Sequence, residues 1–248
     1  RDKPTDHDLS SLQVLIWSGS ACPKDLVAKL RGVCTNLFTS YGQTETGGEV
    51  IYTAAGADNQ HLASSVGKPP PGVKLRLANE QGRTVAQGEA GEIQVQSTMN
   101  MLGYWQRIEA SQAAFTADGW LRTGDLAEQS EQGDYRIVGR LKEMYKSGGY
   151  NIYPREIEIL LENHPAVAIA AVVSVPDPLY SEVGHAFILL EENQNTTEQA
   201  LKDFCRDKLA NYKIPKRFIL RTQLPMLPIG KVDKVALKKE ASPNKETQ

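Results

Sequence analysis

The chain has 248 residues, 40% apolar and 23% charged, with a formal net charge of −2, long enough to bury a core in one large domain or two modest ones. Near-neutral charge without a basic block excludes a general nucleic-acid or membrane-surface role. The longest apolar run, Ala166–Val175, is about half of what a membrane-spanning helix needs. Three scattered cysteines, Cys22, Cys34 and Cys205, form neither a disulfide framework nor a metal-ligand spacing, which points to a reducing, cytoplasmic setting. No basic-then-apolar leader indicates export.

Arg1–Trp17 has no initiator Met and runs at once into a strand, which reads as the middle of a longer protein. Leu12–Trp17 is predicted as a strand and Ser18–Pro23 as a turn of small residues. Pro23 then opens a helix to about Arg31, with proline in its favoured first-turn position. Val33–Thr39 reads as a second strand leading into the turn YGQTE, Tyr41–Glu45. Strand, helix and strand with short links predict one βαβ unit of a parallel sheet over residues 1–65.

From Val66 the texture changes. Lys68-Pro69-Pro70-Pro71-Gly72 breaks any regular element. Val73–Leu77, Gly91–Ser97 and Tyr135–Val138 read as short strands separated by Gly-rich turns, with Arg107–Phe115 the one helical interruption. Such spacing predicts a small β-barrel or sandwich subdomain over 66–140. A third texture follows Arg140. Helix Pro154–Asn163 carries Ile157, Leu160 and Leu161 on one face; Val167–Val175 and Ala186–Leu190 are strands, Thr197–Leu209 an amphipathic helix and Arg217–Arg221 a strand. The expected class is therefore α/β followed by α+β: the end of a large domain, 1–140, then a compact α+β domain, 141–240, and a disordered tail, 241–248. The domain boundary is expected at Arg140 to Lys142.

Several turns hold side chains that serve neither a helix face nor a strand face. In YGQTE, Gly42 permits a tight turn, Thr44 offers a hydroxyl to phosphate, Glu45 offers a hard oxygen to magnesium and Tyr41 offers a flat face to adenine. The competing reading is a polar strand-end turn with Glu45 solvated. Asp125, in TGDL between a helix-and-turn segment and a strand, can accept both ribose hydroxyls or close an Asx-turn. Arg140 has the planar fork that suits nucleotide oxygens, although a plain surface arginine looks the same. Ser147-Gly148-Gly149 either lets a ligand approach the backbone or simply turns the chain. In PMLPIGK, Pro225 and Pro228 stiffen the loop and Gly230 turns it so that Lys231 projects, placed to bridge a substrate carboxylate and an α-phosphate. Gly19-Ser20-Ala21 is a strand-to-helix turn, with Cys22 beside it as a small buried residue.

Three stretches carry a resemblance: YGQTE at Tyr41–Glu45, Gly119–Glu158 around TGDL, and PMLPIGK at Pro225–Lys231. In order and rough spacing they resemble the adenylate-forming superfamily of acyl- and aryl-CoA ligases, nonribosomal-peptide adenylation domains and beetle luciferases. The resemblance implies a carboxylic acid substrate, ATP, Mg2+ bound through Glu45, and CoA. It implies that Gly19, Ser20, Ala21, Tyr41, Gly42, Asp125 and Arg140 bind nucleotide, that Lys142 is the hinge between two domains, and that Thr44, Glu45 and Lys231 serve adenylation. Lys146, Ser147, Gly148 and Gly149 would then face CoA, the glycines bordering the tunnel for its pantetheine arm. Met226 and Pro228–Ile229 depart from the family's basic and hydroxyl residues before Gly-Lys. Nonribosomal domains carry Arg-Gly where this chain has SGGYNIYPREIE; a luciferase-like oxygenase and a non-catalytic interaction module remain as other readings. Nothing in Arg1–Ser40 resembles the family's upstream phosphate loop. The resemblance thus covers the whole chain but about the C-terminal half of a member, and the chain alone is expected to be inactive.

Overall fold

The computed structural model describes residues 7–19, 22–228 and 230–242. The chain divides into two compact units, Arg1–Val138 and Gly139–Gln248.

In the first unit, β1 (Leu15–Trp17), α1 (Lys24–Val33) and β2 (Leu37–Gln43) form the expected βαβ unit, with β1 and β2 parallel. Pro23 stands at the cap of α1; Asp25 in the first turn and Arg31 in the last complement the helix dipole. The helix runs on through Val33, so the second strand starts later than the sequence suggests. β3 (Gly48–Tyr52) then pairs antiparallel with β2. α2 (Asn59–Ser64) is short and capped by Asp58, whose carboxylate accepts the His61 N–H at 2.7 Å. Val27, Leu37 and Leu62 pack with Cys22 and Cys34 into the core between the helices and this sheet.

β4 (Lys74–Ala78), β5 (Gly91–Gln96), β6 (Leu121–Gln129) and β7 (Tyr135–Arg140) form a sheet in that order, and α3 (Ile108–Ala113) lies in the β5–β6 connection. The expected barrel is corrected: among the described residues the four strands make an open sheet whose two edge strands do not pair with each other. Instead the sheet buries one face against β3, where Tyr41, Val50 and Ile51 meet Leu77, Ile93, Val95, Ala127 and Tyr135.

The second unit contains the hairpin β8 (Tyr145–Ser147) and β9 (Tyr150–Ile152), then α4 (Pro154–Glu162), β10 (Val167–Asp177), β11 (Ser181–Leu190), α5 (Glu198–Arg206), β12 (Arg217–Arg221) and α6 (Lys234–Ala241). β11 is central: it pairs antiparallel with β10 and β8 and parallel with β12. Both faces of β10 and β11 are covered. Ala170, Val172, Ala186 and Ile188 face α4 and α5, whereas Ala171, Val173 and Phe187 face Leu237 of α6. This is why Val167–Val175 reads as an apolar run, broken only by Ser174, rather than an alternating one. The tail expectation is also corrected at its start, because Ala241 closes α6, held there by the buried Leu237; residues 243–248 lie outside the described residues. No helix among the described residues is long and apolar enough to cross a membrane.

Candidate active site

The first unit builds its site where β2 runs into its 3-10 turn, Thr44–Thr46. The β2–β3 register slips between Tyr41 and Gly42, so Ile51 opposes Tyr41 but Glu49 opposes Gly42. The slip needs glycine: a Cβ on Gly42 would lie 2.2 Å from the Gly48 carbonyl oxygen. Gly42→Ala is therefore expected to destabilise the first unit by about 1–3 kcal/mol, read as a lower denaturant midpoint. An unchanged midpoint would show that the turn is slack. Beyond it, fully buried Thr46 accepts the Gln43 N–H at 2.9 Å and reaches the Gly48 carbonyl at 2.6 Å. That lock leaves Thr44 exposed and Glu45 half-exposed. One Glu45 carboxylate oxygen accepts the Tyr104 hydroxyl at 2.9 Å, and its carbonyl accepts the Met101 N–H at 2.8 Å. The bond to Glu45 pushes the Tyr104 phenol above its ordinary range.

Asp125 comes from a different strand and is aimed by a bulge. Across β5 and β6, Glu92 opposes Leu126 while Gln94 opposes Arg122, so the residues between them on β6 are in excess. Gly124 takes up the kink with φ 71°, the Thr123 hydroxyl bonds the Ile93 carbonyl at 2.8 Å, and Glu92 accepts the Gly124 N–H at 3.2 Å. Asp125 thus sits inside a strand, not between a turn and a strand as its sequence context suggests, and it is 5% exposed. Its carboxylate accepts the Tyr41 hydroxyl at 2.8 Å, and the Gln43 amide nitrogen stands 3.2 Å from the same oxygen. That nitrogen is also 3.2 Å from the Thr123 carbonyl. Burial, then the Asp125 charge, drive the Tyr41 phenol far above its usual value, so it stays a protonated donor.

Tyr41, Gly42, Asp125 and, through the turn, Thr44 and Glu45 are therefore brought together. Tyr41 is only 8% exposed and packs among Val50, Ile51 and Ile93, while its hydroxyl reaches Asp125. Sequence reading passed over Gln43, Thr46 and Glu92. Gln43 had a signal, an amide one residue after a glycine that forces a strand slip, but its contact to Asp125 spans 82 positions. Gly19 ends the β1 turn with φ 81°, and Ser20 and Ala21 lie outside the described residues.

The remaining candidates belong to the second unit. Arg140 ends β7, and its carbonyl accepts the N–H groups of Glu143 and Met144 at 3.1 Å, forming a tight turn that carries exposed Lys142. Gly148 and Gly149 join β8 to β9 as a two-residue turn with φ 57° and 89°, the positive pair that a primed hairpin turn demands. The turn reading of these glycines is met; their role toward CoA is a separate matter. Lys146 is exposed and Ser147 buried beside Ser181. Lys231 sits on a small hairpin: the Leu227 N–H bonds the Lys231 carbonyl at 2.7 Å, the Asp233 N–H bonds the Pro225 carbonyl at 2.8 Å, and Gly230 turns with φ 80°. Its side chain is exposed; Ile229 lies outside the described residues.

Among the described residues no cluster of three or more His, Cys, Asp or Glu side chains could cage a metal by itself. A single carboxylate such as Glu45 nevertheless suits Mg2+, which keeps waters and takes substrate phosphates alongside one or two protein oxygens.

The profile of the family described as "AMP-binding enzyme" matches residues 1–105, and that of the "AMP-binding enzyme C-terminal domain" matches 156–231. The chain belongs to this adenylate-forming family of AMP-binding enzymes. It is 35% identical over 247 residues to the medium/long-chain-fatty-acid–CoA ligase FadD8 of Mycobacterium tuberculosis, covering 96% of the chain and 43% of that relative. It thus spans less than half the length of that curated relative. The solved anthranilate CoA ligase AuaEII in complex with anthranoyl-AMP matches with a TM-score of 0.84 at 33% identity, over 96% of this chain and 46% of that one. The amide bond synthetase McbA from Marinactinospora thermotolerans matches with a TM-score of 0.88 at 31% identity, over 96% and 48%.

Proposed function

We propose that this chain is the C-terminal portion of an acyl- or aryl-CoA ligase, which joins a carboxylic acid to ATP and passes the acyl group to CoA. The observation that carries the reading is the bulge-borne carboxylate of Asp125, held by Tyr41 and Gln43 beside the Thr44–Glu45 turn. In the first step a carboxylate oxygen of the acid attacks the α-phosphorus of ATP, forming the acyl-adenylate and releasing pyrophosphate. Asp125 accepts from the ribose hydroxyls and Arg140 donates to the ribose or phosphate oxygens; Thr44 donates to phosphate, and Lys231 stabilises the charge that builds on the reacting oxygens. Gly19, Ser20, Ala21 and Gly42 complete the nucleotide contacts. Mg2+ at Glu45 and the phosphates would supply neutralisation of the triphosphate charge. In the second step the CoA thiol attacks the acyl carbonyl, its proton leaves and AMP is expelled. For this the small unit turns about Lys142 and presents Lys146, Ser147, Gly148 and Gly149 to the pantetheine arm.

The chain by itself is expected to bind nucleotide weakly and turn over little, because the phosphate loop and most of the acid pocket are expected upstream. The likeness to an amide bond synthetase favours one second reading, in which an amine rather than a thiol takes the acyl group. The test is pyrophosphate release by the complete polypeptide containing this chain, screened across carboxylic acids with CoA or amines present. Acid-dependent release followed by thioester supports the ligase; amide without thioester moves the acceptor to an amine; no release with any acid overturns both.

A further inference from the structure

Outside the site, the most heavily charged interior of the second unit is a chain of ion pairs. Glu158 of α4 is 2% exposed, and its Oε1 accepts both the Val172 N–H at 2.9 Å and the Lys234 ammonium at 2.8 Å. Lys234, the first residue of α6, also bonds Glu143, in the turn that follows β7. Arg155 joins from the other side, 3.4 Å from Glu158 and 3.0 Å from Glu162. Burial alone would lower the Lys234 ammonium, but the charges of Glu158 and Glu143 outweigh it and hold it above its ordinary range.

Helix α6 also has an apolar anchor besides this lysine. Leu237 already buries its apolar side against Phe187 and Val173. Charges buried in this way often stabilise no more than apolar residues of similar volume would, so such a pair is better explained by the geometry it fixes. Here that geometry has two ends. Asp233, one residue before Lys234, caps α6 by accepting the Ala236 N–H at 3.0 Å and closes the Lys231 hairpin through Pro225. Glu143, one residue after Lys142, closes the turn on Arg140.

From this we infer that Lys234 is a positioning residue: gripping Glu143 and Glu158, it makes the Lys142 turn, helix α4 and the Lys231 hairpin move as one body. Any rotation about Lys142 then carries Lys231 with it instead of leaving the hairpin to find its place anew. This rests on the ligase reading only for its catalytic consequence. The clamp itself is a property of the unit.

Three variants test it: Lys234→Met, Lys234→Arg and Glu143→Gln. Hydrogen exchange in this chain reads the amides of Leu227 and Asp233. Loss of a hydrogen-bonded charge pair is expected to raise their exchange by about tenfold in Lys234→Met, with most protection restored in Lys234→Arg. In the complete enzyme, Lys234→Met is expected to lower adenylation kcat by about tenfold while ATP KM moves less than about twofold. Thioester formation from supplied acyl-adenylate should be spared. Unchanged exchange in Lys234→Met, or an equal fall in both half-reactions, overturns the inference. Should Lys234→Met not fold, Glu143→Gln decides, since it leaves the Glu158 pair intact: faster exchange at Met144 and Asp233 supports the clamp, and wild-type exchange at both overturns it. If the complete enzyme shows no adenylation, the ligase reading fails while the exchange results still judge the clamp.

Discussion

Lys231→Ala in the complete enzyme is expected to lower the rate of adenylation by about a hundred- to a thousandfold, the usual cost of removing one donor aimed at developing charge. The chain should fold as before, because the Lys231 side chain is exposed and its hairpin is closed by backbone bonds from Leu227 and Asp233. Thioester formation from supplied acyl-adenylate should survive, since on the proposed reading the lysine serves only the first half-reaction. Lys231→Arg should not restore the rate, because a planar guanidinium presents its donors differently from a compact ammonium. Pyrophosphate release and a single-turnover thioester assay separate the steps. Full adenylation by Lys231→Ala would falsify the catalytic role and leave the fold in a binding or interaction module.

Asp125 is expected to show two separable losses. Asp125→Asn keeps the shape but removes the charge, and ATP affinity should fall by about ten- to a hundredfold, as hydrogen bonds to a charged acceptor are worth roughly 1.5–3 kcal/mol. Asp125→Ala goes further: the buried Tyr41 hydroxyl and the Gln43 amide lose their common acceptor, which should add about 1–3 kcal/mol of destabilisation. Calorimetric titration with ATP and denaturant unfolding measure the two effects. If Asp125→Asn binds ATP like the parent, the carboxylate is a structural brace and the nucleotide reading loses its anchor.

Asp125 and Lys231 stood out in the amino-acid sequence as an acid and a base beside glycines in stretches that resemble a known family, although Asp125 lies inside β6 and not at a turn. The βαβ unit was equally legible, as were later strands with plain apolar patterns such as β5, β10 and β12. What escaped had a common physical cause. β6, LRTGDLAEQ, mixes polar residues into a strand because it is bent by a bulge whose partners, Glu92 and Ile93, are some thirty positions away. α6, KVALKKEA, buries only Leu237 fully and looks like a solvated run of lysines, yet two of those lysines, Lys234 and Lys238, reach partners within the unit. Gln43 followed the glycine of the strand slip, but only the approach of β6, 82 positions on, gives its amide a purpose. Pairings across long sequence separations leave no periodicity to read. They decide where the carboxylate points.

The double-faced cover of β10 and β11 has a mechanical consequence. A unit whose central strands are closed on both sides by its own helices draws its stability from within residues 139–248. The Lys231 hairpin and the ion pairs of Lys234 are thereby carried on one self-supporting body.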